Sequence, residues 1–92
     1  MIQSFNCTDT QALFAGAAVA RFANMRSVAE RKLQMLHRAT CLDDLRIPPN
    51  NRLEALKRDR KGQHSIRIND QWRVCFVWTG SHATHVEIVD YH

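Results

Sequence analysis

The sequence closes on three residues that can all transfer protons, Asp90-Tyr91-His92, directly after an apolar stretch that ends at Val89. RNA can be cleaved without a metal ion, because its own 2′-hydroxyl can attack the adjacent phosphorus. That reaction needs a general base, a general acid, and cations that stabilise the charge on the phosphorane. Asp, Tyr and His beside Arg and Lys can fill these roles. A frayed, solvated C-terminus is the alternative interpretation of the same three residues.

The cations come from one central segment, residues 52–73. This segment contains seven basic and three acidic residues, whereas the rest of the chain has six of each, so the whole net charge of +4 lies here. Such asymmetry predicts an anionic partner. Nucleic acid is favoured over a membrane, because the segment lacks the broad apolar face of a membrane-surface helix. The basic residues are Arg52, Lys57, Arg58, Arg60, Lys61, Arg67 and Arg73.

Neither metal nor disulfide chemistry is predicted. The cysteines, Cys7, Cys41 and Cys75, are odd in number, widely spaced and without a CxxC pair, which favours reduced thiols in a reducing compartment. No histidine has Cys or Asp at ligand spacing, and His64 lies on an apolar strand face, where a packed core residue is expected. We therefore expect no metal, no cofactor and a cytoplasmic location.

Two helices are predicted to precede residue 48. Thr8 with Gln11 forms a capping-box pattern at the start of the first helix, and Gly16 is suited to end it. Ser27 with Glu30 repeats the capping-box pattern for the second helix. On that helix the apolar side comprises Val28, Ala29, Leu33, Met35, Leu36 and Ala39, and the polar residues Arg31, Lys32, Gln34 and Arg38 mostly lie elsewhere.

Residues 12–20 form an apolar run that resembles the core of a signal peptide. No Lys or Arg precedes the run and Asp9 does, so an internal helix is predicted instead. The run is also too short to span a membrane. Before it, residues 1–5 are predicted to form a short first strand.

After the turn at residues 48–51, strands are predicted over residues 63–69, 72–78 and 85–89. The apolar faces of the first two match only if Ile68 lies opposite Trp72, with residues 69–71 as a three-residue loop. Arg67 then lies opposite Arg73 on the other face. Like charges across a strand pair are unfavourable, and they are tolerated more readily where an anion sits between the two arginines.

The chain resembles the HigB toxins, a branch of the RelE-like superfamily, over nearly its whole length. The opening residues 1–5 and the helical hairpin fit this family as well. Three runs carry most of the resemblance: Arg52-Leu53-Glu54-Ala55-Leu56-Lys57, Gly62-Gln63-His64-Ser65-Ile66-Arg67-Ile68-Asn69-Asp70-Gln71-Trp72-Arg73, and Val86-Glu87-Ile88-Val89-Asp90-Tyr91-His92.

The resemblance implies an α+β, RelE-like microbial RNase fold in which two N-terminal helices pack on one face of a small antiparallel sheet. A single domain over residues 1–92 is expected. The resemblance further implies a toxin that cleaves mRNA in the ribosomal A site and inhibits translation. Its expected partners are the ribosome, mRNA and a HigA-like helix-turn-helix antitoxin, through which the pair would bind operator DNA; no membrane is implied.

Family roles are carried over position by position. The C-terminal catalytic segment matches Asp90, Tyr91 and His92, and the arginine that steadies the phosphate matches Arg73. At Glu54 some relatives have histidine and others glutamate, which leaves the identity of the general base open. The expected RNA-binding residues are Lys57, which matches a basic residue near the scissile site, and Arg58, Arg60, Lys61 and Arg67. Arg58 stands where glycine is common, so the backbone conformation there is open as well.

Strict strand alternation conflicts with one of these roles. It puts Asp90 and His92 on the face of Val86 and Ile88. For Arg73 and His92 to meet at one phosphate, the last strand must bend or end near residue 89.

Two other classes of function remain compatible with the same residues. The basic segment also fits an RNA- or ribosome-binding module without catalysis, in which the C-terminus is only structural. It fits as well a protein-interaction domain that meets an acidic partner.

Overall fold

The computed structural model describes residues 1–90. Two helices, α1 (Thr8–Phe14) and α2 (Arg26–Arg38), pack on one face of a four-stranded antiparallel sheet. The strands lie in the order β1 (Glu54–Ala55), β2 (His64–Arg67), β3 (Trp72–Thr79) and β4 (His82–Asp90). Short 3₁₀ helices span Ala20–Met25, Leu42–Arg46, Pro49–Asn51 and Arg58–Arg60. The predicted α+β architecture is therefore confirmed, and β1 is a strand that the sequence did not predict.

The core fills the space between the helices and the sheet. Ile66, Val74 and Ile88 are paired across three strands and are almost completely buried. Burying side chains of this size contributes about 1.5–3 kcal/mol each. Phe22, from the 3₁₀ helix before α2, packs edge-on against Trp72 with ring centroids 5.6 Å apart. These contacts fix the sheet's inner face and leave its outer face for other roles.

Helix α1 ends as predicted but does not begin as predicted. Gly16 has φ +100°, its N–H donates to the Leu13 carbonyl, and the Ala17 N–H donates to the Ala12 carbonyl. This is a Schellman ending. The capping boxes are wrong. The residues at the N-caps are Cys7 and Met25, without side-chain cap hydrogen bonds, because α1 begins one residue early and a 3₁₀ helix runs directly into α2.

The first residues lie along the outer edge of β4. The predicted strand over residues 1–5 is present only as two isolated parallel bridges, which join Ile2 to Ala83 and Phe5 to Val86. The N–H of Ile2 also donates to Nδ1 of His37, 3.1 Å away on α2. This segment therefore links α2 to the sheet edge.

The β2–β3 register is confirmed. Ile68 N–H donates to the Trp72 carbonyl at 2.9 Å, and Arg67 is paired with Arg73. Asn69 closes the loop, because its Oδ1 accepts the N–H groups of Gln71 and Trp72, both at 2.8 Å. The hydrogen bonds of the Asn69 side chain and the matching of the two apolar strand faces thus favour the same register.

Strand β4 contains a bulge. Between two regular pairs, Phe76 of β3 faces two residues of β4, His85 and Val86. His85 has φ +55°, a left-handed conformation typical of the first residue of such a bulge. The extra residue lets Ala83 and Val86 both face the core. The strand remains paired as far as Asp90, opposite Trp72.

Candidate active site

The outer face of the sheet carries a row of paired residues across all four strands. In register these are Glu54, Ser65, Cys75 and Glu87. Ser65 and Cys75 are fully buried despite lying on the face away from the helices. They form the floor of a polar surface with one carboxylate at each end.

Arg73 lies over one end of this floor. Its Nε donates to Ser65 Oγ at 2.8 Å, and its Nη2 donates to the carbonyl of Arg52 at 2.7 Å. Glu54 Oε1 is 3.5 Å from the same Nη2. The Arg73 side chain is 11% exposed and that of Glu54 is 50% exposed. Two predicted catalytic residues are therefore in contact, with the arginine held in place and the carboxylate accessible.

Among residues 1–90, Arg67 and Arg73 form their hydrogen bonds and ion pairs with different partners. Its guanidinium forms an ion pair with Asp70 in the β2–β3 loop, whereas Arg73 turns towards Ser65 and Glu54. Their mutual repulsion is thus relieved inside the protein. The register does not require an anion between them.

Arg60 lies over the other end of the floor. Its Nη1 is 2.8 Å from Glu87 Oε1 and donates to Gln63 Oε1 at 3.2 Å. These bonds fasten the Arg58–Arg60 turn to β4. The predicted contact of Arg60 with RNA stays a prediction, and the structure adds an internal role for this cation.

Three predicted RNA-binding cations face solvent. Lys57, Arg58 and Lys61 are exposed, and their side chains form no hydrogen bond or ion pair with any residue in the described part of the chain. A cavity of about 300 Å³ lies beside them, lined by Glu54, Ala55, Leu56, Lys57 and Arg58. Arg58 has φ +57°, so it keeps the left-handed backbone that favours glycine. The site thus places accessible cations next to the Glu54 carboxylate.

The C-terminal candidates are placed only in part. Asp90 Oδ2 accepts a hydrogen bond from Gln71 Nε2 at 3.1 Å. By strand alternation Asp90 lies on the face of Ile88, opposite to that of Arg73. Tyr91 and His92 lie outside the described residues.

The Cys75 thiol lies between the two arginine–glutamate pairs. Burial raises its pKa to about 11, and the positive charge of Arg60 opposes this rise. The thiol therefore stays protonated near neutral pH. It forms part of the buried floor of the site and does not act as a nucleophile.

Ser65 and Glu87 are the site residues that the sequence did not predict. Ser65 is two residues before Arg67 in the predicted strand 63–69, so strand alternation puts both on the same face. Alternation with Val86 and Ile88 also puts Glu87 on the outer face, but its pairing opposite Cys75 depends on the bulge in β4, which has no simple sequence pattern.

Within residues 1–90, no group of three or more His, Cys, Asp or Glu side chains is arranged to hold a metal ion. In the same part of the chain, none of the helices has the length and apolar character needed to cross a bilayer.

The fold is similar to that of solved bacterial protein structures. YafQ from Escherichia coli BL21(DE3) superposes with a TM-score of 0.69 at 13% identity, covering 98% of this chain and 91% of that one. The YoeB dimer from Staphylococcus aureus gives a TM-score of 0.55 at 19% identity, covering 99% and 94%. At these identities the likeness defines the fold class only.

A sequence model of the HigB-like toxins, described as RelE-like toxins of the type II toxin–antitoxin system HigB, matches residues 19–92. The chain therefore belongs to the HigB-like family of RelE-like toxins.

Two relatives support this membership. Toxin HigB-1 of Vibrio cholerae serotype O1 is 52% identical over 48 residues, which is 52% of this chain and 50% of that toxin. An uncharacterized protein of Haemophilus influenzae is 33% identical over 64 residues, covering 70% and 63%. The matches thus span about half to two thirds of the length of these relatives.

Proposed function

We propose that this chain is an endoribonuclease that cleaves mRNA in the ribosomal A site and so inhibits translation. One observation carries the proposal. The guanidinium of Arg73 is held beside the half-exposed carboxylate of Glu54, next to the exposed cations Lys57 and Arg58. A fixed cation beside an accessible carboxylate fits transesterification at a phosphate.

The proposed chemistry uses the RNA 2′-hydroxyl as nucleophile and no metal ion. Glu54 accepts the proton of the hydroxyl, and Arg73 stabilises the negative charge of the phosphorane. The general acid for the leaving 5′-oxygen comes from the C-terminal segment, Asp90, Tyr91 and His92. The exposed cations beside the site, together with Arg67, hold the RNA backbone.

The remaining expectations are part of the same proposal. The catalytic domain spans residues 1–92 and works in the cytoplasm, where ribosomes and mRNA are. A HigA-like helix-turn-helix antitoxin neutralises it, and the pair contacts operator DNA through that antitoxin. Membership of a type II toxin family supports an antitoxin partner.

The roles are tested by following cleavage of a translated mRNA with purified variants. Arg73→Ala should lower the rate about 10²–10³-fold, as is normal when a group that stabilises transition-state charge is removed. Glu54→Gln and His92→Ala should also slow cleavage. Arg46→Ala is the matched control, because Arg46 is an exposed arginine paired with Asp43 outside the site. Wild-type rates for folded Arg73→Ala and His92→Ala proteins would refute the assigned roles.

A second experiment separates the classes of function. An mRNA with a 2′-deoxy nucleotide at the cleavage position should resist the enzyme, and normal products should end in a 2′,3′-cyclic phosphate. Cross-linking to ribosomes without new mRNA ends would instead indicate a non-catalytic binding module. Binding to an acidic protein that resists salt and needs no RNA would indicate an interaction domain.

A further inference from the structure

Helix α2 contains a buried lysine that the amphipathic pattern had placed on the polar side. Lys32 is 7% exposed, and its Nζ donates to Oδ1 of Asn51 at 2.5 Å. No carboxylate within residues 1–90 forms an ion pair with it. Burial, reinforced by the charges of Arg31 and Arg67, lowers the pKa of Lys32. A buried cation bonded only to a neutral amide is costly to keep, so this contact calls for a specific explanation.

Asn51, the partner of Lys32, is itself completely buried. Besides accepting from the lysine, its Nδ2 donates to the Leu45 carbonyl and to Met35 Sδ, both at 3.0 Å. The amide therefore joins α2 to the 3₁₀ helix Leu42–Arg46 and fixes the backbone at residue 51. A satisfied buried network of this kind makes the local conformation rigid.

The residue after Asn51 contacts the candidate active site. Arg52 adopts a left-handed conformation with φ +45°, and its carbonyl accepts the hydrogen bond from Arg73 Nη2 at 2.7 Å. Two residues later, Glu54 begins β1. The backbone that Asn51 holds therefore leads directly to one hydrogen-bond acceptor of Arg73 and to the strand that carries Glu54.

We propose that Lys32 and Asn51 are positioning residues for Arg73, which act through the backbone carbonyl of Arg52. Within residues 1–90, Lys32 forms no hydrogen bond or ion pair with a residue of the outer face. Its effect on RNA cleavage rests on the proposed function, whereas its effect on the Arg73 side chain does not.

The direct test is ¹⁵N NMR of the Arg73 side chain in the full-length protein, with Arg73→Lys used to assign the Nε–Hε signal. Lys32→Met keeps the length of the buried chain and removes the ammonium. We expect at least tenfold faster rotation about the Arg73 Nε–Cζ bond in Lys32→Met. Arg38→Met, which removes an exposed cation of the same helix, should leave the signal unchanged. An unaltered Arg73 signal in Lys32→Met would overturn the proposal.

A second variant distinguishes an effect on Arg73 from a general loss of folding stability. Lys32→Met leaves the Asn51 carbonyl oxygen buried without its partner, whereas Lys32→Met with Asn51→Leu removes that oxygen as well, at the expense of the Asn51 bond to the Leu45 carbonyl. We expect thermal stability to recover in part in the double variant while Arg73 stays mobile. Recovery of both stability and Arg73 order would show that the pair contributes only to folding and would refute the positioning role.

The kinetic test is a double-mutant cycle on mRNA cleavage. We expect Lys32→Met to lower kcat about tenfold with little change in KM, and to cause no further loss in an Arg73→Ala background. Additive losses would contradict action through Arg73. If Arg73→Ala itself cleaves normally, the proposed function fails, and the NMR measurement still decides the positioning role.

Discussion

Cys75 shows how the polar floor constrains a single ionisable group. The thiol is buried beneath two arginine–glutamate pairs, and its pKa is raised from 9.0 to about 11. In the unfolded chain the thiol ionises first, so between pH 9 and pH 11 the unfolded state binds fewer protons than the folded state. The stability that the neutral thiol contributes is therefore complete below pH 9 and is lost as the pH rises through 11. A shift of this size corresponds to about 2–3 kcal/mol.

This linkage predicts a pH-dependent difference between wild type and Cys75→Ala. The free energy of unfolding of wild type relative to Cys75→Ala should fall by about 2 kcal/mol between pH 8 and pH 11. Denaturant titrations at the two pH values measure it. Cys41→Ala serves as control because Cys41 is exposed. A difference for Cys75→Ala that is the same at both pH values would contradict the prediction.

At the scale of single residues, strand alternation predicted which side chains lie opposite each other. The sequence did not predict hydrogen bonds between residues far apart in the chain. The pairing of Arg67 with Arg73 followed from matching two apolar strand faces. The bond from Arg60 to Glu87 joins residues 27 positions apart, and no periodicity links them. Lys32 was assigned to the polar side for the same reason, because its neutral partner lies 19 positions away in a segment without a repeating pattern.

Among the elements, the turn that carries the exposed cations is strained. Arg58 holds a left-handed backbone conformation, which costs a residue with a Cβ roughly 1–2 kcal/mol. The strain persists because Arg60 fastens the turn to Glu87 and Gln63. The turn therefore presents Lys57 and Arg58 beside Glu54 at the expense of local stability.

Replacing Arg58 tests this strain. Arg58→Gly should raise the free energy of unfolding by about 1 kcal/mol relative to Arg58→Ala, because both lose the cation and only glycine relieves the backbone. Chemical denaturation of the two variants gives the comparison. Equal stabilities, or a less stable glycine variant, would show that the turn is not strained at this position.

The sequence predicted the presence of the helices and strands better than the residues at which they begin and end. The two helices and the three longer strands follow from periodicity, and Gly16 correctly marks the end of α1. The capping boxes failed because Thr8 is already the first residue of α1, and Ser27 is the second residue of α2, which continues from the preceding 3₁₀ helix. Strand β1 has only two residues, too few for any alternation to appear in the sequence.

For the whole molecule, the charge excess lies in one segment, residues 52–73. Of the seven basic residues in 52–73, Arg60, Arg67 and Arg73 are partly neutralised by carboxylates. The exposed cations Arg52, Lys57, Arg58 and Lys61 carry the field that an approaching polyanion meets. Recognition of RNA is then expected to depend on these side chains more than on the total charge.

The salt dependence of RNA binding measures that contribution. Lys57→Ala and Lys61→Ala should each reduce the slope of log K against log salt concentration by about 0.7 for single-stranded RNA, while lowering affinity for all sequences alike. Fluorescence titrations at several salt concentrations supply the slopes. Arg46→Ala should leave the slope unchanged, and an equal change in all three variants would indicate a diffuse charge effect.

The parallel pairing of the first residues with β4 has a consequence for the order of folding. His85 N–H donates to the hydroxyl of Ser4, 81 positions away, whereas the β3–β4 hairpin turns between Thr79 and His82. Contacts between distant residues form late, because the entropy of closing a long loop must be overcome first. The β3–β4 hairpin can therefore form early, because its paired residues are close in sequence. The edge beside it closes only when the first and the last parts of the chain are present together, so almost the whole polypeptide has to be synthesised before this sheet is complete.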